Sequence, residues 1–227
     1  MQQSFDFVAG DIARWQELLA PLCRDVDLTT RRKPIGQLVK SLISGRTRDA
    51  MSLAAYHRLG DRFGSAGGIA DAEPWAVEAV IADATFARAK AEWLVGALRR
   101  IRQERPDFCL DFLARLPLDA ALAWLERLPG VGRKVAASTL NASTLGRPVL
   151  IVDSHVLRVL QRLNVVPPAA EARLASEAVT SAMPGWCGDD FLMLHFGMKR
   201  LGQRICRFDA PDCAACPLAA DCPSAND

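Results

Sequence analysis

Apolar positions recur at helical intervals along most of this 227-residue chain. Ile35, Leu38, Val39, Leu42 and Ile43 follow the i, i+3, i+4, i+7, i+8 rhythm of one helix face, with Pro34 in the first turn, where a missing N–H costs little. Trp75, Val77, Val80 and Ile81 predict a short helix. Trp93, Leu94, Ala97, Leu98 and Ile101 predict a longer one, closed by Pro106. Leu118, Leu122 and Leu125 line a helix starting after Pro117, and Val156, Leu157, Val159, Leu160 and Leu163 line one starting near Asp153. Phe191, Leu192, Leu194, His195 and Met198 mark the last long helix. Alternating strand patterns are scarce. The apolar run VLIVD at 149–153 is short enough to be extended, and its length does not decide the matter. No long repeat, low-complexity tract or polar linker interrupts the pattern. It predicts an all-α protein of about ten short helices, with no interior boundary visible in composition.

Composition adds little to that picture. The chain is 50% apolar and 24% charged, ordinary for a globular protein, and it is long enough for one large or two small domains. Aromatics are sparse and Tyr occurs once, which favours helices over sheets. A net charge of +2 excludes broad electrostatic attraction to polyanions, so any such surface must come from local clustering. Seven cysteines are an odd number and too few for a disulfide scaffold. Cys23, Cys109 and Cys187 stand alone in helix-like contexts and are expected to be buried thiols in a reducing, cytoplasmic setting. The first fifteen residues lack the basic and apolar regions of a signal peptide, and no stretch approaches the length of a membrane span.

The remaining four cysteines change the picture. Cys206, Cys213, Cys216 and Cys222 are spaced C-x6-C-x2-C-x5-C in a segment too poor in large apolar residues to form its own core. Four thiolates gathered there select an iron–sulfur cluster or zinc. Zinc sites usually pair two C-x2-C arms, and here there is one such arm. Upstream, residues 118–144 read as helix, LPGVG turn, helix. Gly130 and Gly132 permit a tight turn and close approach of another molecule, and the helix starting near Arg133 offers first-turn N–H groups suited to a phosphate. A bare G-x-G would suggest only a corner between helices. Leu-Pro before it and Arg-Lys after it point to a DNA-binding hairpin.

LPGVGRKVA, VDSHVLRV with its Asp nineteen residues after Lys134, and the four-cysteine spacing occur in that order, and together they resemble endonuclease III, of the helix–hairpin–helix (HhH-GPD) superfamily of DNA glycosylases. The resemblance runs from about residue 30 to 222. It implies an all-α, two-lobed glycosylase fold: a six-helix barrel domain over 31–149 containing the hairpin, and a second domain from 1–30 plus 150–227 with a [4Fe–4S] cluster loop at 206–222. It implies a monomeric base-excision repair enzyme with AP lyase activity, acting on oxidised pyrimidines or abasic sites in double-stranded DNA.

The resemblance makes Lys134 the nucleophile and Asp153 the essential carboxylate, with Glu126 and His155 in support. The residues agree in part. A lysine at a helix N-terminus is electrostatically misplaced, and adjacent Arg133 adds to the push towards a neutral, attacking amine. Asp153 is also a good helix N-cap, and both roles are compatible. Gly130, Val131, Gly132 and Arg133 are the expected DNA contacts of the hairpin. SGRTRD at 44–49 corresponds to the loop that fills the space left by a flipped base, with Arg46 where the family usually has Gln. TFARAKA at 85–91 corresponds to the wedge loop, with Phe86 either an intercalating residue or part of the core. Adenine-removing relatives lack the lysine and carry a Glu where this chain has Ser41. The alternatives are a glycosylase of other base specificity, a monofunctional one, or a non-catalytic DNA-binding module.

Overall fold

Proline and glycine set where many of the helices begin and end. The computed structural model describes residues 9–225, so residues 1–8 and 226–227 of the expected domain spans lie outside the described residues. Helix α1 is Ala9–Leu19; α2 (Pro34–Ser44) and α5 (Pro74–Val80) each begin on the proline that starts their first turn. Between them lie α3 (Asp49–Phe63), ended by Gly64 at positive φ, and α4 (Ala66–Asp71), capped by the Ser65 hydroxyl. Then come α6 (Ala87–Glu104), α7 (Leu118–Glu126), α8 (Arg133–Asn141), α9 (Ser154–Arg162), α10 (Ala172–Ala182) and α11 (Gly188–Arg204). Among the described residues there is no strand, only an isolated bridge between Arg32 and Ser143.

The chain divides into two compact units, residues 31–145 and residues 1–30 with 146–227. In the first, α6 is the central element and buries Ala91, Leu94, Val95, Ala97, Leu98 and Ile101, while α2 packs on α8, α3 and α6. Between α2 and α8, Gln37 donates to both Ser41 and Ser138, whose hydroxyls lie 2.9 Å apart, so a buried polar set is closed on itself. Val77 and Ile81, four residues apart, set the inward face of the α5 region; Trp75 falls off that face and is 72% exposed, against the sequence expectation.

The second unit packs α11 against α9, α1 and the short helix after α1. Ile12, Trp15, Val156, Leu160, Phe191 and Met198 lie in its core. Residues 149–152 of the 149–153 run are buried, without a strand partner. Its backbone is satisfied by side chains: Leu150 N–H donates to Thr180 Oγ1, Ser176 Oγ donates to the Leu150 carbonyl, and the Ile151 carbonyl accepts from His195 Nδ1. Cys23 is buried as expected, but Cys109 and Cys187 are exposed. Neither is in a helix: Cys109 follows Phe108, which sits at positive φ, and Cys187 caps α11 in a capping box with Asp190. Among the described residues no helix is long and apolar enough to cross a membrane.

Candidate functional site

The turn between α7 and α8 is set by two glycines with different duties. Gly130 has φ +73°, and a Cβ there would lie 2.6 Å from Trp93 of α6, so both its conformation and its packing require glycine. Gly132 has extended backbone and open space where a Cβ would go. Val131 is buried, and its N–H closes the turn on the Leu128 carbonyl at 3.1 Å; its side chain faces inward rather than towards a ligand. Helix α8 starts at Gly132 without a side-chain cap. Arg133 Nε donates to Glu126 Oε1 at 2.6 Å, with only 8% and 12% of the two side chains exposed. This ion pair clamps α7 to α8 and offsets much of the positive charge that Arg133 was expected to place beside Lys134.

Lys134 stands in the first turn of α8, and its Nζ donates to Ser44 Oγ, at the end of α2, at 2.6 Å. Ser44 Oγ in turn donates its one hydrogen to the Ser41 carbonyl at 2.8 Å. Towards Lys134 it therefore offers only lone pairs, and it accepts. Arg46 and Phe86 lie on neighbouring turns of the same unit. Both are exposed, Phe86 by 58%, which removes it from the core. The Arg46 guanidinium carbon is 5.8 Å from the Phe86 ring centre. Beneath them Lys90 is 3% exposed, and its Nζ donates to the carbonyls of Ile43 and Gly45 and to Thr47 Oγ1. Ser44 and Lys90 are the residues that motif reasoning underused. Lys90 had a visible signal: it is a charged residue four before Leu94 on the apolar stripe of α6.

In the other unit Asp153 caps α9, its Oδ1 accepting from the N–H groups of His155 and Val156 at 2.9 Å each. Burial opposes its ionisation, but His195, the Val156 N–H, Lys199 and His155 outweigh burial and hold the carboxyl below its ordinary range. His195 Nδ1 lies 2.8 Å from the Ile151 carbonyl, which fixes Nδ1 as a donor. His155 Nδ1 accepts from Arg158 Nη2, and Arg158 also donates to the carbonyls of Gly202 and Cys206. This side chain ties α9 to the start of the cysteine loop.

Cys206, Cys213, Cys216 and Cys222 line one cavity of about 40 Å³ together with Arg162. Burial, with mutual repulsion among the thiolates, pushes Cys216 and Cys222 up from the ordinary thiol value. Arg162 Nη1 donates to Cys206 Sγ at 3.1 Å, and its backbone carbonyl accepts from Cys222 Sγ. Four thiols around one cavity suit an iron–sulfur centre, and their spacing, with one C-x2-C arm, suits zinc less well.

Within residues 31–145 the structure therefore brings together Lys134 with Ser44, Arg133 with Glu126, and Arg46 with Phe86. Within the second unit it brings Asp153 into the field of His195 and His155, and the four cysteines around one cavity. Residues 39–184 match the model of the HhH-GPD superfamily base excision DNA repair protein family. Endonuclease III of Thermotoga maritima is 31% identical over 189 residues, covering 83% of this chain and 82% of the relative. Endonuclease III of a Synechocystis species is 28% identical over 194 residues, covering 85% and 82%. A trapped endonuclease III–DNA covalent intermediate superposes with a TM-score of 0.79 at 22% identity, covering 97% and 98% of the two chains, and a thermostable thymine-DNA glycosylase with 0.74 at 17%, covering 96% and 95%. By its sequence match and its helical fold, the chain belongs to the HhH-GPD superfamily of base excision DNA repair proteins.

Proposed function

We propose that this member of the superfamily is a bifunctional base-excision glycosylase that removes oxidised pyrimidines from duplex DNA and then cuts the strand at the abasic site. The observation that carries the reading is Lys134 itself. It is a lysine at an uncapped helix N-terminus, directly after the glycine turn, with its Nζ held by a hydroxyl that can only accept from it. Once its amine has lost a proton, its lone pair attacks the sugar C1′. The C1′–N bond breaks and the base leaves with a proton. The C1′–O4′ bond then opens, a proton going to O4′ as the nitrogen lone pair forms the C=N bond, and the resulting iminium acidifies the C2′ hydrogen. Removal of that proton expels the 3′ phosphate by β-elimination, and hydrolysis of the iminium releases Lys134. Ser44 orients the amine, and the Glu126–Arg133 pair holds the two helices of the hairpin in register. We assign the Asp153 carboxylate to the positive charge that develops on the sugar, and its depressed pKa keeps it ionised for that task. Gly132, with open space at its Cβ position, and the first turn of α8 suit a DNA phosphate. His155, through Arg158, serves by fixing α9.

Cys206, Cys213, Cys216 and Cys222 would hold a [4Fe–4S] cluster, with Arg162 placed to offset its negative charge. When bound, the cluster supplies an iron–sulfur redox centre and a cross-link for this end of the chain. Iron and sulfide analysis with visible absorption of anaerobically purified protein tests it, and zinc in place of iron would overturn it.

Borohydride trapping tests the chemistry, using duplexes that carry thymine glycol, dihydrouracil, uracil, 8-oxoguanine or an abasic site. A covalent adduct on the oxidised pyrimidines is expected, and Lys134→Gln should abolish it. An adduct on the abasic site alone would leave a lyase acting on another base. No adduct on any duplex would replace this reading with a monofunctional enzyme or a binding module.

A further inference from the structure

We propose that Lys90 is a positioning residue that locks the turns carrying Arg46 and Phe86 into a single two-pronged wedge for entry into duplex DNA, an inference that rests on the glycosylase reading above. Its Nζ lies 2.9 Å from the Ile43 carbonyl, 2.6 Å from the Gly45 carbonyl and 2.8 Å from Thr47 Oγ1. Three uncharged acceptors match the three hydrogens of an ammonium. The group is buried at a net cost, since burial pulls its pKa down to about 8. A buried cation that meets only neutral oxygens, at the end of α2 and in the turn after it, contributes geometry more than stability.

The second turn is bound to the first through the same atoms. Thr47 Oγ1, which accepts from Lys90, also accepts from the Thr85 N–H at 3.1 Å, and Thr85 Oγ1 donates to the Arg46 carbonyl at 2.9 Å. Arg46 has φ +52° and Phe86 has φ +59°. Plain connecting turns place glycine in this left-handed region, because a Cβ is strained there. Strain retained at two adjacent turns, each presenting a long exposed side chain, belongs with a functional constraint. The chemistry of the prongs explains why they must move as one. A ring inserted between base pairs opens one stacking step, and a planar guanidinium can occupy the vacated stack while donating to the orphaned base. Neither serves if the other arrives out of register.

The test uses the full chain with its native metal content and the variants Lys90→Met and Thr85→Val. Thr85 is exposed, so Thr85→Val removes the hydroxyl's bond to the Arg46 carbonyl, keeping the N–H bond to Thr47, without touching the buried amine. Each protein is bound to a duplex with a non-cleavable tetrahydrofuran abasic site opposite 2-aminopurine, and to the matching single strand. Wild type should raise the 2-aminopurine fluorescence as the partner base is unstacked. Both variants should lose duplex affinity by about tenfold, the scale of one lost base-stacking contact, together with most of the fluorescence rise, and lose far less on the single strand. Full fluorescence in both variants, or equal losses on duplex and single strand, would overturn the lock. Borohydride trapping of the same samples on abasic DNA reads Lys134 separately. A fluorescence rise with no adduct would overturn the lysine-lyase part of that reading and leave the lock standing.

Discussion

Gly130 and Gly132 lie two positions apart in one turn and answer to different demands. At Gly130 a methyl group meets Trp93 at 2.6 Å on a backbone with positive φ. Gly130→Ala should therefore cost roughly 2 kcal/mol or more in urea denaturation. Gly132→Ala should leave stability within about 0.5 kcal/mol, yet weaken duplex binding, because the space it fills is where we place a phosphate. Asp153→Asn separates two duties in the same way. Asn is as good an N-cap as Asp, so the fold should survive, while base release should slow by on the order of 10². The sign of the pH effect follows from the depressed pKa. The charge of Asp153 stabilises the fold above the ordinary carboxylate value of 3.8, and this is lost as pH falls through the lower folded value. The stability difference between wild type and Asp153→Asn should thus be steady near neutrality and shrink below about pH 3.8, as thermal melts across pH would show. At this scale, spacing motifs singled out Lys134, Asp153 and the cysteines. Their partners were hidden, since Ser44 is 90 positions from Lys134 and a lone hydroxyl carries no pattern. Cys109 and Cys187 misled because their neighbours look helical while they themselves occupy an irregular segment and a cap.

The hairpin shows how two short helices become one element. Helices α7 and α8 are nine residues each, too short to persist alone in water, and they are joined by the Glu126–Arg133 pair. With both side chains nearly buried, removing one charge takes this ion pair from the other in a site with little water. Glu126→Gln or Arg133→Met should each destabilise by about 3 kcal/mol. The double variant Glu126→Leu with Arg133→Met should recover much of the loss, and a double-mutant cycle by chemical denaturation checks this. Helix positions were legible because their apolar spacing is local. The 149–153 segment was not, because whether it takes a strand partner depends on Ser176, Thr180 and His195, all more than twenty residues away. Trp75 and Phe86 show the same limit: spacing reports that a face exists, while tertiary packing decides which large side chains it excludes.

Over the whole molecule, two units of separate core composition should respond separately to damage. Cys216→Ala removes one wall of the cysteine cavity, next to Leu218, a member of the core of residues 1–30 and 146–227. Amide exchange measured by mass spectrometry should then rise in α9, α10 and α11 and stay near wild type in α2, α6 and α8. The division into units was invisible in composition because no polar linker marks it, and the second unit is discontinuous in sequence. That discontinuity has a temporal consequence for a ribosome-made chain. Trp15 of α1 donates to Asp221, 206 positions later, and Arg14 pairs with the same carboxylate. Residues 31–145 can fold while synthesis continues. Helix α1 is made before residues 31–145, yet it lacks that partner until Asp221 has left the exit tunnel. Completion of the cysteine loop and docking of α1 would therefore be one event, and a translation stall before Asp221 would leave a folded hairpin unit on an unfinished partner.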